Sequence, residues 1–182
     1  MTFLRFAGRS ALALAVALSA GALVPWSTAS AQLAENVQFG ATAGVNIPLS
    51  DLSRQTQTGL LIDAFVTGTP RQWPAALRGE LSYSDFPGAL NRASQHVTGF
   101  TLNAVLPVAP AGSAPYVLGG LGLYNTGSYA GLPSENDLGM DLGVGYRWRR
   151  PGVSYFAEVR FTDVAHTGVS RQMLPIMFGV VF

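Results

Sequence analysis

The sequence predicts an all-β fold: an eight-stranded antiparallel up-and-down transmembrane β-barrel, preceded by a cleaved signal peptide. Three observations predict it. The chain is 48% hydrophobic but only 12% charged, about half the charged share of an ordinary soluble domain. After residue 31 no stretch approaches a spanning helix, which needs about 20 apolar residues. Apolar residues recur there at every second position instead, in short segments separated by turn residues. Lipid admits only helices and closed barrels, because every backbone polar group must be satisfied internally.

Residues 1–31 read as the signal peptide. Arg5 and Arg9 charge its start, an apolar run follows from Ala11 to Val24, and Ala29-Ser30-Ala31 forms the small-residue cleavage site. Residues 32–182 form the barrel domain. The basic residues are all Arg, the acidic residues nearly balance them, and Cys is absent. This balance excludes a nucleic-acid partner, a disulfide framework and thiol chemistry. No His, Asp or Glu spacing marks a metal site, and no cofactor is expected.

The first segment, 37–49, places Val37, Phe39, Ala41, Ala43, Val45, Ile47 and Leu49 on one face. The second, 59–67, sets Leu60, Ile62, Ala64 and Val66 against Asp63 and Thr67, with Leu61 and Phe65 blurring the alternation. The third, 77–85, sets Leu77, Leu81 and Tyr83 against Arg78, Glu80, Ser82 and Ser84. The fourth, 97–106, sets Phe100, Leu102, Ala104 and Leu106 against Thr101, Asn103 and Val105. The fifth, 116–124, is Gly-rich, with Val117, Leu121 and Leu123 outward and Tyr116, Leu118 and Tyr124 inward.

The sixth, 138–148, turns Leu138, Met140, Leu142, Val144, Tyr146 and Trp148 outward, opposite Asp141 and Arg147. The seventh, 153–163, turns Val153, Tyr155, Ala157, Val159 and Phe161 outward, opposite Phe156, Glu158, Arg160 and Thr162. The eighth, 174–182, reads Leu174, Ile176, Phe178, Val180 and Phe182 on one face. Aromatic residues near strand ends, Tyr83, Tyr146, Trp148, Tyr155, Phe161 and Phe182, suit interfacial girdles.

Charges inside strands fall on the inner face: Asp63, Arg78, Glu80, Asp141, Arg147, Glu158 and Arg160. An eight-stranded barrel has an interior just wide enough for side chains to fill it. Buried charges are tolerated only when paired. Arg78, Glu80, Asp141, Glu158 and Arg160 are therefore the candidate lumen ion-pair network, a structural plug. Which Arg pairs with which carboxylate stays open; Arg160 is near Glu158 on its own strand, whereas Arg78 needs a cross-lumen reach. The inward Gly120, Gly122, Gly139, Gly143 and Gly145 leave room for long Arg side chains. A soluble ligand-carrying barrel would invert this pattern, apolar inside and charged outside.

The stretches "PYVLGGLGLY", "GVGYRW", "FAEVRF" and "LPIMFGVVF", in this order, resemble the later strands of small bacterial outer-membrane β-barrel proteins of the OmpA transmembrane-domain and OmpX type. The resemblance covers residues 36–182. It implies an integral protein of the cell outer membrane, with both termini periplasmic, standing as a monomer among outer-membrane lipid and lipopolysaccharide. It further implies that Leu174, Ile176, Phe178, Val180 and Phe182 form the signal recognised by the barrel-assembly machinery. Outer loops then fall at 50–58, 86–96, 125–137 and 164–173, and periplasmic turns at 68–76, 107–115 and 149–152.

The role implied is structural or loop-mediated binding in the envelope, with a narrow porin as the alternative. A lipid A-modifying enzyme is the weaker reading. It needs a His and a Ser held together, yet the position two after His166 is Gly168, and Ser94 precedes rather than follows His96. No catalytic residues are assigned.

Overall fold

The computed structural model describes residues 35–89, 92–109, 114–128, 134–166 and 169–182. The expected signal peptide, 1–31, lies outside the described residues. Eight strands follow in chain order: β1 (Glu35–Pro48), β2 (Gly59–Thr69), β3 (Ala76–Phe86), β4 (Gln95–Pro107), β5 (Ala114–Ser128), β6 (Glu135–Arg150), β7 (Val153–His166) and β8 (Val169–Val181). One short helix, α1 (Ser50–Ser53), sits between β1 and β2.

Each strand pairs antiparallel with the next, and β1 pairs with β8, so the sheet closes into a barrel with no free edge. Gly40 to Gly44 of β1 lie opposite Val181 to Met177 of β8. The Phe182 N–H donates to the Phe39 carbonyl at 2.8 Å at one end of this seam, and the Leu49 N–H donates to the Gln172 carbonyl at 2.8 Å at the other. Pro175 lies inside β8 rather than near its start. The β7–β8 ladder runs to Val159↔Ile176 and resumes at Thr162↔Met173, a gap that spans the N–H that Pro175 lacks.

The inside–outside alternation of the sequence is realised on every strand. Leu60, Leu81, Phe100, Leu121, Leu138, Val144, Phe178 and their alternate neighbours are exposed on the outer surface. Leu61 and Phe65, which blur the second segment, point inward and are buried. On the outer surface Tyr146 stacks at a tilt against Trp148, 5.0 Å between ring centroids, and Trp148 faces Tyr155 across the β6–β7 ladder. Phe161 does not end a strand; it pairs with Leu142 within β7.

The strands overrun their expected bounds. The largest differences shorten the expected loops 125–137 and 164–173, because β5 continues to Ser128, β6 starts at Glu135, β7 continues to His166 and β8 starts at Val169. In these extensions the apolar alternation has stopped but the hydrogen-bonded ladder has not. The tight Arg150–Val153 turn has Pro151 followed by Gly152 at φ +82°, a conformation that glycine adopts without strain.

Two apolar clusters occupy the interior. Phe65, Val105, Tyr116, Leu118, Phe156 and Val181 pack toward the end where β1 begins and β8 ends. Leu52, Phe86, Val97, Tyr124, Val164 and Met173 pack toward the opposite end, where Leu52 of α1 folds over the opening. The charged side chains lie between them.

Candidate functional site in the barrel lumen

The site is built by β3 and β7, which stand four strands apart in an eight-membered ring and so face each other across the lumen. On an inward face, residues two apart are neighbours. Arg78 and Glu80 therefore project together from β3, and Glu158 and Arg160 from β7. Every one of the four is buried.

They form a closed ring of alternating charge. Arg78 Nη1 donates to Glu80 Oε1 at 3.2 Å and to Glu158 Oε2 at 3.0 Å. Arg160 Nε donates to Glu158 Oε1, its Nη1 donates to Glu80 Oε2, and its Nη2 donates to Glu80 Oε1 at 2.7 Å. Each guanidinium thus binds both carboxylates, and each carboxylate binds both guanidiniums. Two positive and two negative charges cancel inside the ring, which is what makes their burial tolerable.

Neutral donors add further bonds to both carboxylates. Tyr116 OH donates to Glu158 Oε2 at 2.5 Å. Thr101 Oγ1 and Asn103 Nδ2 donate to Glu80 Oε2 at 3.3 and 3.4 Å. The face of Arg78 is enclosed by aromatic rings: its Cζ lies 4.9 Å from the Phe65 centroid, 5.4 Å from Phe156 and 5.7 Å from Tyr116. Such contacts attract a desolvated cation by about 2 kcal/mol or more.

Asp141 is not in the ring. It sits on β6, where its Oδ1 accepts from Tyr124 OH at 2.9 Å and from Thr162 Oγ1 at 2.7 Å. No ion pair to Asp141 is formed among the described residues. Position on the inner face put it with the other four, but inner-face position does not fix height along the barrel. Arg147, also inward, lies 5.9 Å from the Tyr116 ring centroid and is only half-buried. Asp63 on β2 is buried.

The inward glycines do a different job from the one expected. Gly143 does leave room for an arginine: a Cβ there would come within 2.9 Å of Arg160 Cγ. Most of the others receive aromatic rings. The Tyr116 ring lies on Gly145, its cross-strand partner, so closely that a Cβ would overlap it. A Cβ on Gly139 would meet the Tyr124 ring at 2.7 Å. The glycines thereby aim the two tyrosyl hydroxyls at Glu158 and Asp141. Sequence reading placed Tyr116, Tyr124, Thr101 and Asn103 inward without giving them a role; their membership of the same inward register as the charges was the available signal.

A cavity of about 30 Å³ remains beside the ring, with Asp63, Glu80, Asp141 and Arg160 in its wall. Among the described residues no three His, Cys, Asp or Glu side chains share a potential metal position.

The outward β8 residues Leu174, Ile176, Phe178, Val180 and Phe182 continue the apolar outer surface, with Ile176, Phe178 and Phe182 most exposed. His96 lies at the loop end of β4, opposite Asp85 of β3 and stacked on Tyr83 at 6.3 Å. Ser94 Oγ instead accepts from the Gly88 N–H at 3.3 Å. The side chain of His166 lies outside the described residues.

A closed eight-stranded antiparallel barrel with an apolar outer surface and a charged interior is the fold of the small outer-membrane β-barrel proteins. The chain is similar in structure to Neisserial surface protein A, at TM-score 0.64 and 14% identity, covering 81% of this chain and 97% of that one. It is also matched at TM-score 0.49 by the N-terminal β-barrel domain of Pseudomonas aeruginosa OprF, 14% identical over 80% of this chain and 97% of that one. Yersinia pestis Ail matches at TM-score 0.49 and 10% identity, over 81% of this chain and all of that one, 100%. At these identities the likeness is one of fold. No family model and no curated protein matches the chain.

Proposed function

We propose that this chain is an integral protein of the bacterial outer membrane, with a charge-paired, plugged lumen and a structural or loop-mediated binding role in the envelope. One observation carries the reading: large apolar side chains cover the outside of all eight strands while the charges cancel in pairs inside. In water that outer surface would be an aggregation hazard; in lipid it is the required one. β1 begins and β8 ends at the same end of the barrel; this end faces the periplasm, and the barrel stands as a monomer in lipid and lipopolysaccharide. The outward face of the closing strand, Leu174, Ile176, Phe178, Val180 and Phe182, serves as the signal for the assembly machinery. No enzymatic activity is assigned, and conduction would move the reading to a narrow porin.

Fractionation tests this reading. The protein should enter the outer-membrane fraction, need detergent for extraction and change its gel mobility on heating. Recovery in the soluble periplasmic fraction would overturn the reading.

A further inference from the structure

The two ends of the barrel differ in charge. The turns 68–76, 107–115 and 149–152 carry Arg71, Arg149 and Arg150 and no Asp or Glu. The loops at the other end hold Arg54, Arg92 and Arg171 against Asp51, Glu135 and Asp137. Glu35, at the start of β1, stands three strands round the ring from β6. The turn end therefore favours an anionic partner.

Arg149 and Arg150 close β6 beside its tight turn to β7. Arg150 is exposed, continues the outward row of Tyr146 and Trp148, and forms no ion pair among the described residues. Trp148 faces Tyr155 across the β6–β7 ladder and lies 5.0 Å from Tyr146, ring centroid to centroid. The Trp148 Nε1–H and the hydroxyls of Tyr146 and Tyr155 donate to no group among the described residues. The apolar outer surface thus ends in three free donors beside a cation. Next to them stands Ala157, with Tyr146 on one neighbouring strand and Phe178 on the other. Tyr155 and Val159 flank it along β7. One methyl group among four larger side chains leaves a shallow trough on the lipid-facing wall.

We propose that this corner of the β6–β7 sheet binds one anionic phospholipid of the phosphatidylglycerol class. Arg150, Trp148 and Tyr155 take the phosphate, and one acyl chain lies in the trough over Ala157. Aromatic donors and basic residues are the groups that meet headgroups at a membrane interface. A zwitterionic headgroup fits less well, because the turns offer no carboxylate for its ammonium group. The inference rests on the envelope reading above, with this end of the barrel in the periplasmic leaflet.

The test uses the full chain carrying Trp26→Phe and Trp73→Phe, which leaves Trp148 as its one tryptophan. The protein is folded into phosphatidylcholine vesicles that contain either brominated phosphatidylglycerol or brominated phosphatidylcholine, at the same mole fraction. Bromine quenches a tryptophan that its lipid touches. Trp148 should be quenched more strongly by the phosphatidylglycerol probe. Arg150→Gln should lower that preference about fivefold, the equivalent of about 1 kcal/mol for one basic residue at an anionic surface. Arg71→Gln, in the turn on the opposite side of the ring, should leave it unchanged. Equal quenching by the two lipids overturns the proposal while the barrel still stands in lipid. So does a preference that survives Arg150→Gln, or one that falls equally in Arg71→Gln. Quenching by neither lipid overturns the membrane reading itself, and the proposal with it.

Discussion

Arg78 on β3 and Glu158 on β7 meet across the full width of the barrel, with Nη1 and Oε2 3.0 Å apart and both side chains completely buried. The contact ties opposite walls of the sheet together. It lays two long side chains end to end across the axis, where shorter ones would not meet.

Removal of Glu158 should be costly. Glu158→Ala strips a carboxylate from Arg78, Arg160 and Tyr116 at once. The uncompensated buried charge should destabilise the barrel by about 3–5 kcal/mol, measured by reversible unfolding from lipid vesicles. The loss should be nearly the same at low and high salt, since buried pairs are poorly screened. A loss below about 1 kcal/mol would place the ring outside the stability determinants.

Glu158 should couple to both arginines. In double-mutant cycles, Glu158→Ala combined with Arg78→Ala, and separately with Arg160→Ala, should each cost less than the sum of the single changes by about 0.5–3 kcal/mol. Coupling to Arg160 alone would mean that the cross-lumen contact is not formed.

The outer surface should reject charge. Val159 faces outward on β7 and pairs with Val144 of β6, also exposed. Val159→Arg should cost about 2–4 kcal/mol in vesicles if the site lies near the bilayer midplane. A cost near zero would mean that this face does not meet lipid.

The Tyr116–Gly145 fit should be sensitive to one added side chain. Gly145→Val would displace the Tyr116 ring and its bond to Glu158, at a cost of about 1–3 kcal/mol for overpacking. Truncating the ring, Tyr116→Ala, should make Gly145→Val less damaging than it is alone. If the two losses simply add, the ring does not occupy that position.

How far the sequence carries depends on what each feature answers to. The facing of residues such as Val144, Val159 and Glu158 follows from a period of two, a local property, and was legible. The strand ends were not, because apolar alternation marks only the lipid-facing part of a strand, and Asn125–Ser128 or Glu135–Asp137 continue the ladder with polar residues. Leu52 shows the same limit: one apolar residue in the polar stretch "DLSRQTQ" becomes part of an interior apolar cluster. The pairing of Arg78 with Glu158, and the seat of Asp141 beside Tyr124, depend on how strands β3, β6 and β7 are staggered around the barrel. That stagger is set by closure of the whole sheet and leaves no mark in any one segment.

The central claim is that the ring of Arg78, Glu80, Glu158 and Arg160 closes the lumen. Conductance of the pure protein in planar lipid bilayers tests it most directly. The account predicts no stable channel from the unaltered barrel. Long-lived, ohmic, high-conductance openings from that same protein would contradict it.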